Sequence, residues 1–312
     1  MRIIRDYQFT TADDRGAVAA IGNFDGVHLG HQSVIDLTRE IAQRENAPMG
    51  IMTFEPHPRE LFQPDTAPFR VMNSEAKAHR LEKLGVDHLY ELTFNHGLAG
   101  LSDEEFACDV IAGGLGLKHV IVGADFQFGK GRSGTVERLK SFGDTYGFDV
   151  TIAPLKSIDD VEISSTAIRK ALTDGMPKAA ANMLGHWHRI DGEVIRGDQR
   201  GRDLGFPTVN MSIEGLHPPR FGVYAVLVDV LTGPHVGSYL GAASVGVRPT
   251  FGVNTPNIET FIFDFSGDLY GAHLSVALVE YLRPELKFNG LQDLIEAMDD
   301  DCAKAREILA AL

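Results

Sequence analysis

The feature that most restricts the fold is a change of texture near Gly185. Before it, apolar runs of strand length lie at Ala17–Ile21, Gly50–Phe54, His88–Leu92, His119–Val122 and Asp149–Ile152. Helix-type segments near His31–Arg44, Glu75–Leu84, Asp103–Ala112 and Val136–Tyr146 alternate with them. Such alternation predicts a doubly wound parallel sheet, because parallel neighbours need a crossover and helices then cover both faces. Ser102 with Glu105 spells a capping box for the third helix, and Gly113 is placed to close it. A short helical pair ends at Gly185. Beyond it the runs GEVIRG, GVYAVLVDV, GSYLGAASVGV, ETFIFDF and HLSVALVEYL are separated by turns, which predicts a small antiparallel barrel or sandwich. An amphipathic helix near Leu291–Leu312 closes the chain, with Leu294, Ile295, Met298, Cys302 and Ile308 expected on its apolar stripe. Two domains are therefore expected, residues 1–185 and 186–312.

A chain of 312 residues is long enough for two ordinary cores, and 44% apolar with 23% charged residues describes a globular protein. The net charge of −14 disfavours a broad polyanion-binding surface, so no nucleic-acid partner is expected. Two isolated cysteines, Cys108 and Cys302, point to a reducing compartment. The N-terminus lacks the apolar core of a signal peptide, and no run approaches the roughly 18 apolar residues of a membrane span. A cytoplasmic protein without a membrane partner is expected, as a monomer or weak homo-oligomer.

Doubly wound sheets bind ligands at the carboxyl ends of their strands. Ile21–Gln32, IGNFDGVHLGHQ, lies at such an end, between a strand and a helix start. Free N–H groups and the positive helix end make that junction a phosphate site. Two imidazoles in it, His28 and His31, suggest chemistry on a nucleotide phosphate. Paired histidines also suit a metal, but zinc would need two further ligands, and the cysteines are isolated. By itself the pattern leaves both readings open.

Further segments fit phosphate chemistry. Phe54-Glu55-Pro56-His57-Pro58 follows a strand, and its prolines stiffen the backbone around His57. A glycine-rich stretch from Val122 to Gly134 carries Asp125, Phe126, Phe128, Lys130 and Arg132, suited to a loop over a phosphorylated aromatic ligand. Ile163-Ser164-Ser165-Thr166-Ala167-Ile168-Arg169 places hydroxyls, N–H donors and a cation at a helix start, an arrangement that suits a departing pyrophosphate. Singly, each also reads as a rigid loop, a surface loop and an ordinary N-cap.

Together GNFDGVHLGHQ, FEPHP, VGADFQFG and ISSTAIR, in that order, resemble the flavin nucleotidyltransferase half of prokaryotic bifunctional riboflavin kinase/FAD synthetases. The resemblance implies in-line attack by the FMN phosphate on the α-phosphorus of ATP. His28 and His31 would donate to the α-phosphate, Asn23 and Asp25 would orient ATP, and Ser164, Ser165, Thr166 and Arg169 would hold pyrophosphate with Mg2+. His57, Asp125 and Phe126 are assigned to the flavin side. Gln127 and Ala167 stand where the family often has arginine.

The second domain carries Gly197-Asp198-Gln199-Arg200-Gly201-Arg202-Asp203-Leu204-Gly205, whose glycines and arginines can wrap phosphates without a Walker lysine. Thr208 and Asn210 share one face by strand alternation and offer hard oxygen ligands for Mg2+. A glycine-rich hairpin with a polar edge is the alternative. Gly205-Phe206-Pro207-Thr208-Val209-Asn210 is similar to the riboflavin kinase Pro-Thr-x-Asn signature, with Val209 for the usual alanine. Gly222-Val223-Tyr224-Ala225, Arg248-Pro249-Thr250-Phe251-Gly252 and Leu282-Arg283-Pro284-Glu285 extend the match. The resemblance implies a six-stranded barrel with a terminal helix. It assigns Glu259 as the base beside the riboflavin 5′-hydroxyl, Gly197, Gly201, Arg202, Gly205 and Thr208 to ATP, and Arg283 to the flavin end, where it also reads as an ion-pair partner. His186 and His188 are expected as linker or surface residues.

The expected function is phosphorylation of riboflavin to FMN, then adenylation of FMN to FAD, with ATP as co-substrate of both steps. A cytidylyltransferase with an accessory barrel, or a flavin-binding sensor without turnover, competes with this reading. FEPHP and the kinase signature oppose the first; intact His28, His31, Thr208, Asn210 and Glu259 oppose the second.

Overall fold

The computed structural model describes residues 1–154, 163–197, 205–250 and 253–312. The chain forms two compact units, Met1–Thr66 with Lys77–Glu162, and Ala67–Ala76 with Ile163–Leu312.

The first unit is built on a sheet of β1 (Arg2–Ile4), β2 (Val18–Ile21), β3 (Met49–Glu55), β4 (His88–Thr93), β5 (His119–Gly123) and β6 (Asp149–Ala153). Its order is β1-β4-β3-β2-β5-β6, and every neighbouring pair is parallel. Every strand read from the apolar runs forms. The short edge strand β1 was not foreseen, since Arg2-Ile3-Ile4 is largely exposed and carries no periodic signal. β2 is buried along its whole length and β5 nearly so, which is why their sequences run apolar rather than alternate. The connecting helices are α1 (Leu29–Glu45), α2 (Pro58–Phe62), α3 (Ser74–Lys83), α4 (His96–Gly100), α5 (Asp103–Glu105) and α6 (Val136–Tyr146).

Helix ends follow their local chemistry. Ser102 accepts from the Glu105 N–H while Glu105 accepts from the Ser102 N–H, the expected capping box. Gly113 does not close that helix. The chain widens into a π-helical stretch, Phe106–Gly114, and Leu115 ends it with its N–H on the Val110 carbonyl. At the amino edge of the sheet His119 bridges the Glu45 carboxylate (2.7 Å) and Thr151 Oγ1 (2.8 Å), tying the end of α1 to β5 and β6.

From β2 the chain winds outward through β3 and β4, then returns to the other side of β2 for β5 and β6. The direction of winding therefore reverses between β2 and β5, the crevice where open α/β sheets bind ligands. The histidine turn follows β2, the His57 segment follows β3, and the Asp125 loop follows β5.

In the second unit, α7 (Ser165–Thr173) and α8 (Pro177–Leu184) precede β7 (Arg189–Glu193), β8 (Thr208–Ser212), β9 (Gly222–Val230), β10 (Gly237–Thr250), β11 (Val253–Ile262) and β12 (His273–Arg283). The antiparallel order is β7-β12-β9-β10-β11-β8. The Ile195 N–H donates to the Asn210 carbonyl at 2.9 Å and brings the two ends together as a nearly closed barrel. Tyr224, Val226, Val228, Val245, Ile258, Val276 and Leu278 fill its interior. The first strand begins at Arg189, ahead of the GEVIRG run, so Ile195 belongs only to that closing bridge.

The terminal helix α9 (Leu291–Ala310) covers an outer barrel patch of Ala225, Ala242, Phe263 and Val279. Its buried line is Asp301, Ala305 and Leu309; Leu294, Ile295, Met298, Cys302 and Ile308 are only half-buried. An aspartate at the start of the buried line hid it from hydrophobic patterning. Asp301 is buried because Arg283 of β12 meets it with both Nε and Nη2. His188 is likewise not a surface residue: it is 2% exposed, with Nε2 on the Val71 carbonyl at 2.9 Å, and burial pushes it down to about 4.

Candidate active sites

After β2 the chain makes a strained turn. Phe24 (φ +49°), Gly26 (φ +86°) and Val27 (φ +43°) are all left-handed, an unfavourable state for a β-branched valine. The Gln32 amide donates to the Val27 carbonyl at 2.9 Å and holds it there. The turn delivers His28 as the N-cap of α1, where its Nδ1 accepts from the His31 N–H at 3.2 Å. His31 stacks on His28, with ring centroids 3.6 Å apart.

His28 is buried and His31 half-buried with its Nδ1 out of reach of water, and both rings are uncharged. Desolvation pushes His28 down to about 4 and His31 well below the ordinary imidazole range, with the neighbouring Lys77 and His28 charges adding to the effect on His31. Because His28 Nδ1 accepts a hydrogen bond, its proton sits on Nε2, which faces away from the cap as an N–H donor. Two neutral N–H donors at a helix N-terminus can stabilise developing phosphate charge without taking a proton.

The other predicted groups of the first unit follow neighbouring strands. Asn23 and Asp25 belong to the turn, and Asp25 is buried. His57 is the N-cap of α2, its Nδ1 accepting from the Arg59 N–H at 3.1 Å while its own N–H donates to Glu60. Asp125 is exposed in the turn that the Phe126 N–H closes on the Gly123 carbonyl. Phe126 stacks on Phe128, which packs in turn against Phe106.

Ser164, Ser165, Thr166 and Arg169 open α7, in the second compact unit. Ser164 Oγ caps the helix by accepting from the Ala167 N–H, and Arg169 donates to Thr166 Oγ1 (2.9 Å) and to the Phe69 carbonyl (3.2 Å).

In the barrel, β8 and β11 pair so that Asn210 stands opposite Glu259 and Thr208 opposite Phe261. Alternation then puts Thr208, Asn210 and Glu259 on one face. Thr208 Oγ1 lies 3.5 Å from Glu259 Oε2, and Asn257 Nδ2 donates to Asn210 Oδ1 at 3.4 Å. Asn210 is buried and Glu259 half-buried. Gly205 turns with φ +84° just before β8, and Gly197 is half-buried after β7. Gly201 and Arg202 lie outside the described residues. Arg283 is held by Asp301, as above.

The FAD synthetase family model matches residues 10–167, and the riboflavin kinase model matches residues 184–309. The bifunctional riboflavin kinase/FMN adenylyltransferase of Pseudomonas fluorescens is 39% identical over 311 residues, covering 99% of this chain and 98% of the relative. That of Escherichia coli K12 is 38% identical over 308 residues, covering 98% and 97%. The chain belongs to the bifunctional riboflavin kinase/FMN adenylyltransferase family. A Streptococcus pneumoniae crystal structure described as a macrolide-efflux protein is 30% identical, with a TM-score of 0.80 over 96% of this chain and 97% of that one. Among the described residues here no helix is long and apolar enough to cross a membrane.

As a member of this family the chain is a transferase with an FAD synthetase and a riboflavin kinase domain, and ATP is the co-substrate of both. Sequence reasoning missed Lys77 in the first domain. It is 2% exposed, with Nζ 3.3 Å from the Asn23 carbonyl, 3.2 Å from Thr53 Oγ1 and 4.0 Å from Glu55 Oε2. Its segment, SEAKAHRLEK, reads as a polar surface helix, so no local signal marks it.

Proposed function

We propose that residues 1–185 carry out FMN adenylation and residues 186–312 riboflavin phosphorylation, each by positioning and charge stabilisation, without a covalent enzyme intermediate. In adenylation an FMN phosphate oxygen bonds to the α-phosphorus of ATP as the bond to pyrophosphate breaks. The observation that carries this assignment is the stacked, uncharged pair His28 and His31 at the N-terminus of α1. His28 Nε2–H and the His31 ring would donate to the α-phosphate as charge builds. Asn23 and Asp25 would orient ATP, and Ser164, Ser165, Thr166 and Arg169 would take the departing pyrophosphate. His57, Asp125 and Phe126 would face the flavin.

In phosphorylation the riboflavin 5′-oxygen bonds to the γ-phosphorus and ADP leaves. Glu259 would accept the hydroxyl proton, and its place opposite Asn210 supports that role. Gly197, Gly201, Arg202, Gly205 and Thr208 would hold ATP, with Arg283 toward the flavin. The hydroxyl of Thr208 and the amide oxygen of Asn210 are hard donors that fit Mg2+. Bound there, Mg2+ would neutralise phosphate charge. A cytoplasmic setting suits the two free cysteines, and we infer a monomer or weak homo-oligomer.

The test is incubation of the full chain with riboflavin, ATP and Mg2+, with products separated by chromatography. FMN followed by FAD is expected. Formation of neither by folded protein would overturn the proposal.

A further inference from the structure

A lysine sealed from water is costly unless its charge has partners and a task. Lys77 lies close enough to act on His31, in the first turn of α1, where the macrodipole disfavours a cation. Its ammonium donates to the Asn23 carbonyl and to Thr53 Oγ1, and Thr53 Oγ1 also lies 3.2 Å from that carbonyl. The Asn23 carbonyl is thus gripped from α3 and from β3. Immediately after it come the left-handed Phe24 and Val27, then His28.

We propose that Lys77 is a positioning residue for FAD synthesis: its buried ammonium pins the Asn23 carbonyl and so fixes the strained turn that presents His28 and His31. A turn with two non-glycine residues in the left-handed region relaxes unless its surroundings hold it. Displacing a catalytic group by about 1 Å is enough to lose about 10²-fold in rate. The same charge acts on the His31 ring directly. A cation near His31 adds to burial and to the neighbouring His28 in making its protonation harder, and adds positive potential where the nucleotide phosphates would lie. Among the described residues, the charged groups that act on the His31 ring are His28 on α1 and Lys77 on α3, and Lys77 in turn lies 4.0 Å from Glu55 on β3; Asp25 on the turn, His57 after β3 and Asp125 after β5 lie at the same end of the sheet.

The inference rests on the reading of His28 and His31 as the adenylation donors, and its test separates the two. Lys77→Met, Lys77→Arg and His31→Ala are made in the full chain. FAD formation from FMN and ATP is followed with pH, beside thermal unfolding. Lys77→Met is expected to lower kcat about 10²-fold with a smaller change in KM for ATP. Its acid limb should move to higher pH, and its unfolding temperature should be unchanged or raised because a buried charge is gone. Lys77→Arg should keep the acid limb in place.

Wild-type kcat and pH profile in Lys77→Met, with His31→Ala inactive, would overturn this inference alone. So would loss of rate accompanied only by loss of stability, with the acid limb unmoved. An active His31→Ala would instead overturn the assignment of the histidine site.

Discussion

Asn210 and Glu259 face each other across the β8–β11 ladder, the amide buried and the carboxylate half-buried, with Thr208 one step along on the same face. Strand register holds the carboxylate beside the oxygen donors. Asn210→Ala or Glu259→Gln should therefore stop FMN formation while leaving FMN-to-FAD conversion nearly intact. For Glu259→Gln the expected loss is about 10²–10⁴-fold, the usual worth of a positioned proton acceptor. Separate assays started from riboflavin and from FMN check this.

The converse substitution is His28→Ala with His31→Ala. Each neutral donor to a developing phosphate charge is worth about 10²–10³-fold when removed. FAD formation should fall at least that far while riboflavin phosphorylation persists. Loss of both activities from a well-folded protein would contradict two separate sites.

Burial pushes both His28 and His188 down to about 4. As pH falls through about 6.5 the unfolded chain binds protons that these folded sites refuse. Their contribution to stability is fully present above about 6.5 and is lost progressively as pH falls toward about 4, by up to about 3 kcal/mol per group. The urea midpoint should therefore drop between about pH 7 and pH 4.5. His188→Gln keeps a donor toward the Val71 carbonyl and removes the titration. It should lower stability at neutral pH by about 1 kcal/mol while shrinking the slope.

Arg283 and Asp301 lock the terminal helix to β12 through contacts of 2.7–3.0 Å, with the carboxylate only 7% exposed. Asp301→Asn leaves a mostly buried guanidinium without its charge partner and should destabilise the barrel by about 3 kcal/mol. A double-mutant cycle with Arg283→Met, read by urea unfolding, should return a coupling of about 2 kcal/mol.

The sheet was legible because periodicity and caps are local: Val18–Ile21 reads as a buried strand, and Ser102 with Glu105 as a cap, whatever surrounds them. The terminal helix was legible as a helix but not in its facing. Asp301 looks like a solvent residue until Arg283, distant in sequence, neutralises it. His188 misled for the same reason, since the Val71 carbonyl that receives it belongs to a distant segment.

From the order of its residues alone this chain declared its architecture, its pair of histidines at a helix start and its Thr208–Asn210 step, because each is written in adjacent positions. Tertiary structure alone decided that His28 and His31 stack and stay uncharged, that Glu259 stands across from Asn210, and that Lys77 lies sealed against the Asn23 carbonyl. Charge state and partnership depend on water being excluded by residues far along the chain, and that exclusion exists only once the chain has folded.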